Sequence, residues 1–166
     1  RDVELLLATV RTGLNLELAA DEEVLALAED WSPGQVTLVP ERREEVTTEG
    51  GLDLSPGRRD RIGDAVGRLR GAGVRTALFI DPDPEAVEAA AELGADAVEL
   101  HTGEYADAGT RGDRREQLRR LRRAAREVVE AGLDAHAGHG LTYENVAPVA
   151  AIPELEELNI GHSVVS

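Results

Sequence analysis

Ala97-Val98-Glu99-Leu100-His101-Thr102 has the length and apolar content of a buried strand, yet a carboxylate and an imidazole stand two residues apart within it. In a strand, residues i and i+2 share a face, so Glu99 and His101 point one way while Val98 and Leu100 point the other. The same arrangement recurs in Asn15-Leu16-Glu17-Leu18, and Asn159 lies within a third apolar run. Six such runs are legible: Leu14–Leu18, Val36–Pro40, Thr76–Ile80, Ala97–Thr102, Asp134–Ala137 and Leu158–Gly161. Helical patterns separate them near Asp21–Asp30, Arg58–Ala72, Pro84–Leu93, Asp113–Ala131 and Tyr143–Ala151, and a further helix precedes them over Asp2–Val10. Leu118, Leu121, Ala125 and Val128 recur at the period of a helix face. Gly71-Ala72-Gly73, Gly94 and Gly132 follow three helices as expected C-caps. Asp81-Pro82-Asp83-Pro84 reads as a turn, with Asp83 as N-cap and Pro84 at the first helical position. Leu5, Leu6 and Val10 supply the expected buried stripe of the first helix.

Strict alternation of strands and helices predicts an α/β fold with a parallel sheet covered by helices. An open doubly-wound sheet and a (β/α)₈ barrel both fit that rhythm. The polar residues favour the barrel. A sheet covered on both sides has little room for carboxylates, whereas inward residues near the strand C-termini of a TIM barrel build its active site. Six strands do not close such a barrel. The present strands are therefore expected to be the third to eighth, with two strands before Arg1 and a last helix after Ser166. The chain has no methionine, so Arg1 is not expected to be a native start.

A length of 166 residues predicts one domain over 1–166, and 42% hydrophobic content suffices for a core. That core must be aliphatic, because Trp31, Phe79, Tyr105 and Tyr143 are the only aromatic side chains. Cysteine is absent, which removes disulfides, thiolate catalysis and zinc-thiolate sites. No apolar run reaches the ~18 residues needed to cross a bilayer. Nothing resembles a signal peptide, and a cytoplasmic location without membrane partners is expected. The formal charge of −15 argues against nucleic acid, whose binding draws on basic residues that neutralise phosphates. All 18 basic residues are arginine, and those of Arg114–Arg126 are interleaved with glutamates on a helix, which reads as a solvated face.

Several residues can carry chemistry. Glu17 and Glu99 are each flanked by apolar residues; burial of a carboxylate is costly unless paired and raises its pKa. Two such groups at strand ends suit proton transfer near neutral pH, the other reading being structural ion pairs with arginine. Gly138-His139-Gly140 follows the fifth strand and precedes a helix with Thr142 as expected N-cap. Glycines admit close approach of a ligand, and helix N-termini offer N–H groups to an anion. Asn159-Ile160-Gly161-His162 ends the sixth strand in the same way, and the loops after the last two strands of a TIM barrel often hold phosphate. No HxH or HxxxH pair sits at a strand end with matching carboxylates, and no metal site is expected. The connection Glu41–Gly57 exceeds the usual length and is either a lid or a surface insertion.

These residues also carry a resemblance. The run from Val39 to Asp53, VPERREEVTTEGGLD, resembles the signature loop of the pyridoxine 5′-phosphate synthase family. So do Asn15-Leu16-Glu17, Phe79-Ile80-Asp81, Glu99 to Gly103 with Tyr105-Ala106-Asp107, Ala137 to Tyr143, and Glu157 to His162, in family order across nearly the whole chain. The resemblance implies a TIM barrel, a homo-octamer, and a transferase-type enzyme of vitamin B6 biosynthesis. It implies condensation of 3-amino-2-oxopropyl phosphate with 1-deoxy-D-xylulose 5-phosphate, without metal or organic cofactor. It also implies roles: Glu17 as general base, His139 as general acid and Glu99 as transition-state stabiliser. Thr47 would contact the deoxyxylulose phosphate, while Gly140, Gly161 and His162 would hold the amino-ketone phosphate. His136 departs from the family's usual asparagine, and the family's first two strands, which carry further catalytic residues, have no counterpart here. The alternatives are an inactive truncated form of that enzyme and another sugar-phosphate lyase or isomerase of the barrel type.

Overall fold

The structure is a computed structural model that describes residues 1–41 and 50–165. Among the described residues, six strands and eight helical segments follow one another: α1 Asp2–Thr9, β1 Asn15–Leu18, α2 Glu22–Trp31, β2 Gln35–Leu38, α3 Arg59–Gly71, β3 Arg75–Ile80, α4 Pro84–Glu92, β4 Ala97–His101, α5 Gly103–Ala106, α6 Arg111–Glu130, β5 Asp134–Gly138, α7 Ala147–Ala150, β6 Leu155–Asn159 and α8 His162–Val165. The strands form one parallel sheet in chain order, curled as a half barrel.

Register explains why the sheet has two unlike faces. Leu16, Val36 and Thr76 lie side by side, as do Leu18, Leu38, Leu78, Val98 and Ala135, and then Ile80, Leu100 and Ala137. In-register neighbours of a parallel sheet project to the same side, so these rows make one apolar face. Against it pack Ile62, Val66 and Leu69 of α3, Val87 and Ala90 of α4, and Leu121, Ala125 and Val128 of α6, all in one buried cluster. The opposite face carries Glu17, Thr37, Phe79, Glu99 and His136.

Helix boundaries follow local chemistry. Asp21 accepts N–H groups of Glu23 and Val24 at 3.0 and 3.4 Å, which caps α2. Thr110 caps α6 by accepting from Asp113 N–H. The expected glycine stops are present at Gly73, Gly94 and Gly132, each left-handed (φ 75 to 81°).

Four expectations are corrected. The stripe of α1 is not buried: Leu5 is 64% and Leu6 45% exposed, and α1 has no buried residue. Asp83 occupies the N-cap position of α4 but makes no capping bond, because its carboxylate accepts from Arg120 Nη2 at 3.0 Å. The helix expected over Tyr143–Ala151 shrinks to α7, and Thr142 closes a turn by accepting Glu144 N–H rather than capping a helix. β6 begins at Leu155, three residues early, because a bulge beside Ala135/His136 lets the acidic pair Glu156-Glu157 into the strand. Of the long connection, residues 42–49, including Thr47, lie outside the described residues. Its returning end docks on β3, with Leu52 N–H donating to Phe79 O at 2.8 Å. Only glycine fits at 51, since a Cβ there would lie 2.3 Å from the backbone N of Asp81.

Candidate active site

The polar face converges at the C-terminal ends of β4, β5 and β6. Glu99 is 3% exposed, and its Oε2 accepts from Asn159 Nδ2 at 2.7 Å, a bond across β5. Burial pushes the carboxyl up to about 7, opposed by the Asn159 hydrogen bond and reinforced by the negative charges of Glu17 and Glu157. Room for it comes from Gly138 on the neighbouring strand, where a Cβ would lie 2.2 Å from Glu99 Oε1. Beside Glu99 in the register is His136, also buried, with Nδ1 3.9 Å from Glu157 Oε1 and burial holding the imidazole below its ordinary pKa. Further along, Thr37 donates to Asn15 Oδ1 at 3.0 Å.

Two loops finish the site. In the first, His139 adopts φ 82°, a left-handed conformation that side chains other than glycine seldom take. Thr102 holds it there: its N–H donates to Gly138 O at 2.8 Å, and its hydroxyl reaches Gly138 O at 2.7 Å and His139 O at 2.5 Å. Ser163 Oγ donates to Leu141 O at 2.8 Å, which ties the loop carrying Gly161 and His162 to the one carrying His139 and Gly140. The rings of Phe79, His101 and His139 meet between them, the two imidazole centroids 5.0 Å apart.

The structure therefore brings His139, Gly140, Gly161 and His162 to the same end of the sheet as Glu99, all four solvent-exposed. Glu17 shares the face of Glu99 and acts on its charge, but the expected burial is corrected: Glu17 is exposed, because β1 is an edge strand of the sheet. Three elements of the site escaped sequence reasoning. Asn159 was legible as a polar strand residue, but its pairing with Glu99 spans 60 positions and leaves no local trace. Thr102 read as an ordinary strand-end residue. Asp81 read as part of a turn, although it follows β3 as directly as Thr102 follows β4, and its Oδ1 stands 3.1 Å from His101 Nδ1. Among the described residues, no group of three or more His, Asp or Glu side chains is placed to hold a metal ion, and no helix is long and apolar enough to cross a membrane.

Comparison with known proteins agrees with the geometry. Two solved structures share the fold at 14% sequence identity. One is a xylose isomerase domain protein from Planctomyces limnophilus (TM-score 0.56, covering 89% of this chain and 62% of that one). The other is the Amycolatopsis orientalis BexX/CysO complex (TM-score 0.55, covering 86% and 52%). Curated relatives named pyridoxine 5′-phosphate synthase are far more similar in sequence. Those of Synechococcus sp. (strain JA-2-3B'a(2-13)) and Magnetococcus marinus are 57% and 54% identical over all 166 residues, which span 69% and 68% of their lengths. The protein of Nostoc punctiforme is 53% identical over the same span. A model of the family described as pyridoxal phosphate biosynthesis protein PdxJ matches residues 1–166. The chain belongs to that family.

Proposed function

We propose that this chain provides the proton-transfer face and one phosphate site of a pyridoxine 5′-phosphate synthase. The reaction joins 3-amino-2-oxopropyl phosphate to 1-deoxy-D-xylulose 5-phosphate and releases pyridoxine 5′-phosphate, phosphate and water. The observation that carries the reading is Glu99: a buried carboxyl on the polar face of β4, held by Asn159 and poised at about 7. Such a group exchanges its proton at neutral pH, which imine formation, dehydration and ring closure all demand repeatedly.

Roles follow from position. Exposed Glu17 is the general base, His139 the general acid, and Glu99 stabilises charge between them. Gly140, Gly161 and His162, on the two loops tied by Ser163, bind the amino-ketone phosphate through backbone N–H groups and the imidazole. Thr47 contacts the other substrate. The proton transfers are assigned to side chains alone, without metal or organic cofactor. In this reading the six strands are the third to eighth of a (β/α)₈ barrel, in a cytoplasmic enzyme that assembles as a homo-octamer.

The test is to incubate the protein with both phosphates and measure pyridoxine 5′-phosphate. Turnover that falls by about 10²-fold or more in Glu17→Gln and His139→Ala supports the roles. Absence of product from the unaltered full-length protein refutes the function, and intact turnover in either variant refutes that residue's role. Native mass measurement tests the octamer, and chelator treatment that abolishes turnover refutes the cofactor-free reading.

A further inference from the structure

His101 is buried at the end of β4 (6% exposed), with Nδ1 3.1 Å from Asp81 Oδ1. The same oxygen accepts Gly51 N–H at 3.0 Å. The hydrogen bond to His101, more than any other influence, holds the Asp81 carboxyl below the usual carboxylate range. An ionised carboxylate only accepts, so the contact requires a proton on Nδ1, and in the tautomer where that is the ring's one proton Nε2 is an acceptor. That Nε2 is buried and has no hydrogen-bond partner among the described residues. Gly103 packs against it and lets the two imidazoles approach, since a Cβ there would lie 2.5 Å from Nε2 and 3.4 Å from Cδ2 of His139. Phe79 packs edge-on against the His101 ring at 5.2 Å, and the His139 ring tilts against it at 5.0 Å.

A buried acceptor left unmet destabilises the fold, which a leucine or phenylalanine at this position would avoid. A carboxylate that orients one imidazole, whose other nitrogen is unmet beside a second imidazole, is an arrangement for fixing the second ring. We propose that His101, oriented by Asp81, is a positioning residue for His139, its Nε2 receiving an N–H of the His139 imidazole when that ring turns toward it beside Gly103. The inference rests on the reading of His139 as proton donor. Thr102 sets the backbone of His139 from below, and His101 sets its ring from the side.

Three variants of the full-length enzyme test it, with kcat and KM measured separately. His101→Phe keeps the ring and removes both nitrogens. Asp81→Asn keeps the shape but can present an N–H to Nδ1, which drives the His101 proton onto Nε2. Both are expected to lower kcat roughly 10- to 100-fold, a part of the ~10²–10⁴ that a positioned proton donor contributes, with KM within about threefold of the parent. His101→Gln, whose amide reaches the Nε2 position, is expected to recover most of the loss. Equal activity of His101→Phe and the parent overturns the proposal, as does a loss confined to KM or equal losses in the Phe and Gln variants. Nitrogen-15 spectra of the parent's histidines decide the matter if the variants do not fold: a proton on Nε2 of His101 overturns the proposal, and one on Nδ1 supports it. Failure of the parent itself to make product instead overturns the functional reading.

Discussion

Glu99→Gln is expected to stabilise the protein at alkaline pH while disabling it. The carboxyl is 3% exposed and has its pKa raised from 4.5 to about 7, chiefly by burial. Below pH 4.5 it is protonated in both the folded and the unfolded chain and costs nothing. Between 4.5 and about 7 the unfolded chain ionises while the folded one keeps its proton, so stability falls as pH rises. Above that range the full gap applies, which at ~1.36 kcal/mol per pH unit is a cost of about 3 kcal/mol. Glutamine has no such cost, and its amide oxygen can still accept from Asn159. Urea unfolding of parent and variant at pH 5 and pH 8 isolates the contribution, since every other titrating group is common to both. The variant's advantage should grow by about 2.5 kcal/mol between the two pH values. A constant difference, or a variant that becomes relatively weaker at pH 8, would show that Glu99 ionises normally in the fold, and the case for a proton-exchanging carboxyl would fall with it.

Other substitutions probe the supports of the site. Gly138→Ala puts a Cβ 2.2 Å from Glu99 Oε1 and 3.0 Å from Asn159 O; it should cost about 1–3 kcal/mol in urea unfolding and move the Glu99 titration seen by carbon-13 NMR. Thr102→Val keeps the shape but removes the hydroxyl that reaches Gly138 O and His139 O, and should lower stability by about 1–3 kcal/mol and kcat with it. For His136, whose imidazole is held below its ordinary pKa by burial, the sign is opposite to that of Glu99: below about pH 6.5 the unfolded chain takes up a proton that the folded chain resists, so acid destabilises. His136→Asn should therefore lose less stability than the parent between pH 7 and pH 5, read by the shift in thermal midpoint.

Much of this was visible in the sequence because the sheet has a period of two. Glu99 with His101, and Asn15 with Glu17, declared a polar face before any coordinates, and the register of β1 to β5 places those residues on it. Turn chemistry was as legible: Gly73, Gly94 and Gly132 stop their helices in the left-handed conformation that their residue type permits. What escaped depended on distant partners. The apolar run marked a strand from Leu158, whereas pairing with β5 across the bulge at Ala135/His136 starts β6 at Leu155. Leu5, Leu6 and Val10 announced a buried stripe, but burial depends on what lies opposite, and nothing among the described residues covers them. The single turn α5 is too short for periodicity to reveal, although it places Tyr105, whose hydroxyl donates to Asn145 O at 2.7 Å and braces the loop after His139.

The two faces of the sheet divide stability from chemistry, and that division constrains how the site can be built. Val36, Leu38, Leu78, Ile80, Val98 and Leu100 are at most 1% exposed beneath the helices, and their burial is what holds the strands in register. The other face keeps groups that weaken the fold: a carboxyl displaced to about 7, a buried imidazole held below its ordinary pKa, and buried ring nitrogens of His101 and His136 without a hydrogen-bond partner among the described residues. None of them can be relieved locally without losing its chemistry, because an arginine beside Glu99 would restore an ordinary pKa and end its proton exchange at neutral pH. Their positions must then be fixed by neighbours that do not neutralise them. Asn159, Thr102 and Gly138 do this with an amide, a hydroxyl and an empty space, none of which carries charge. Asp81 is the exception, and the His101 ring stands between its carboxylate and the His139 imidazole, so that a full charge fixes one ring without touching the next.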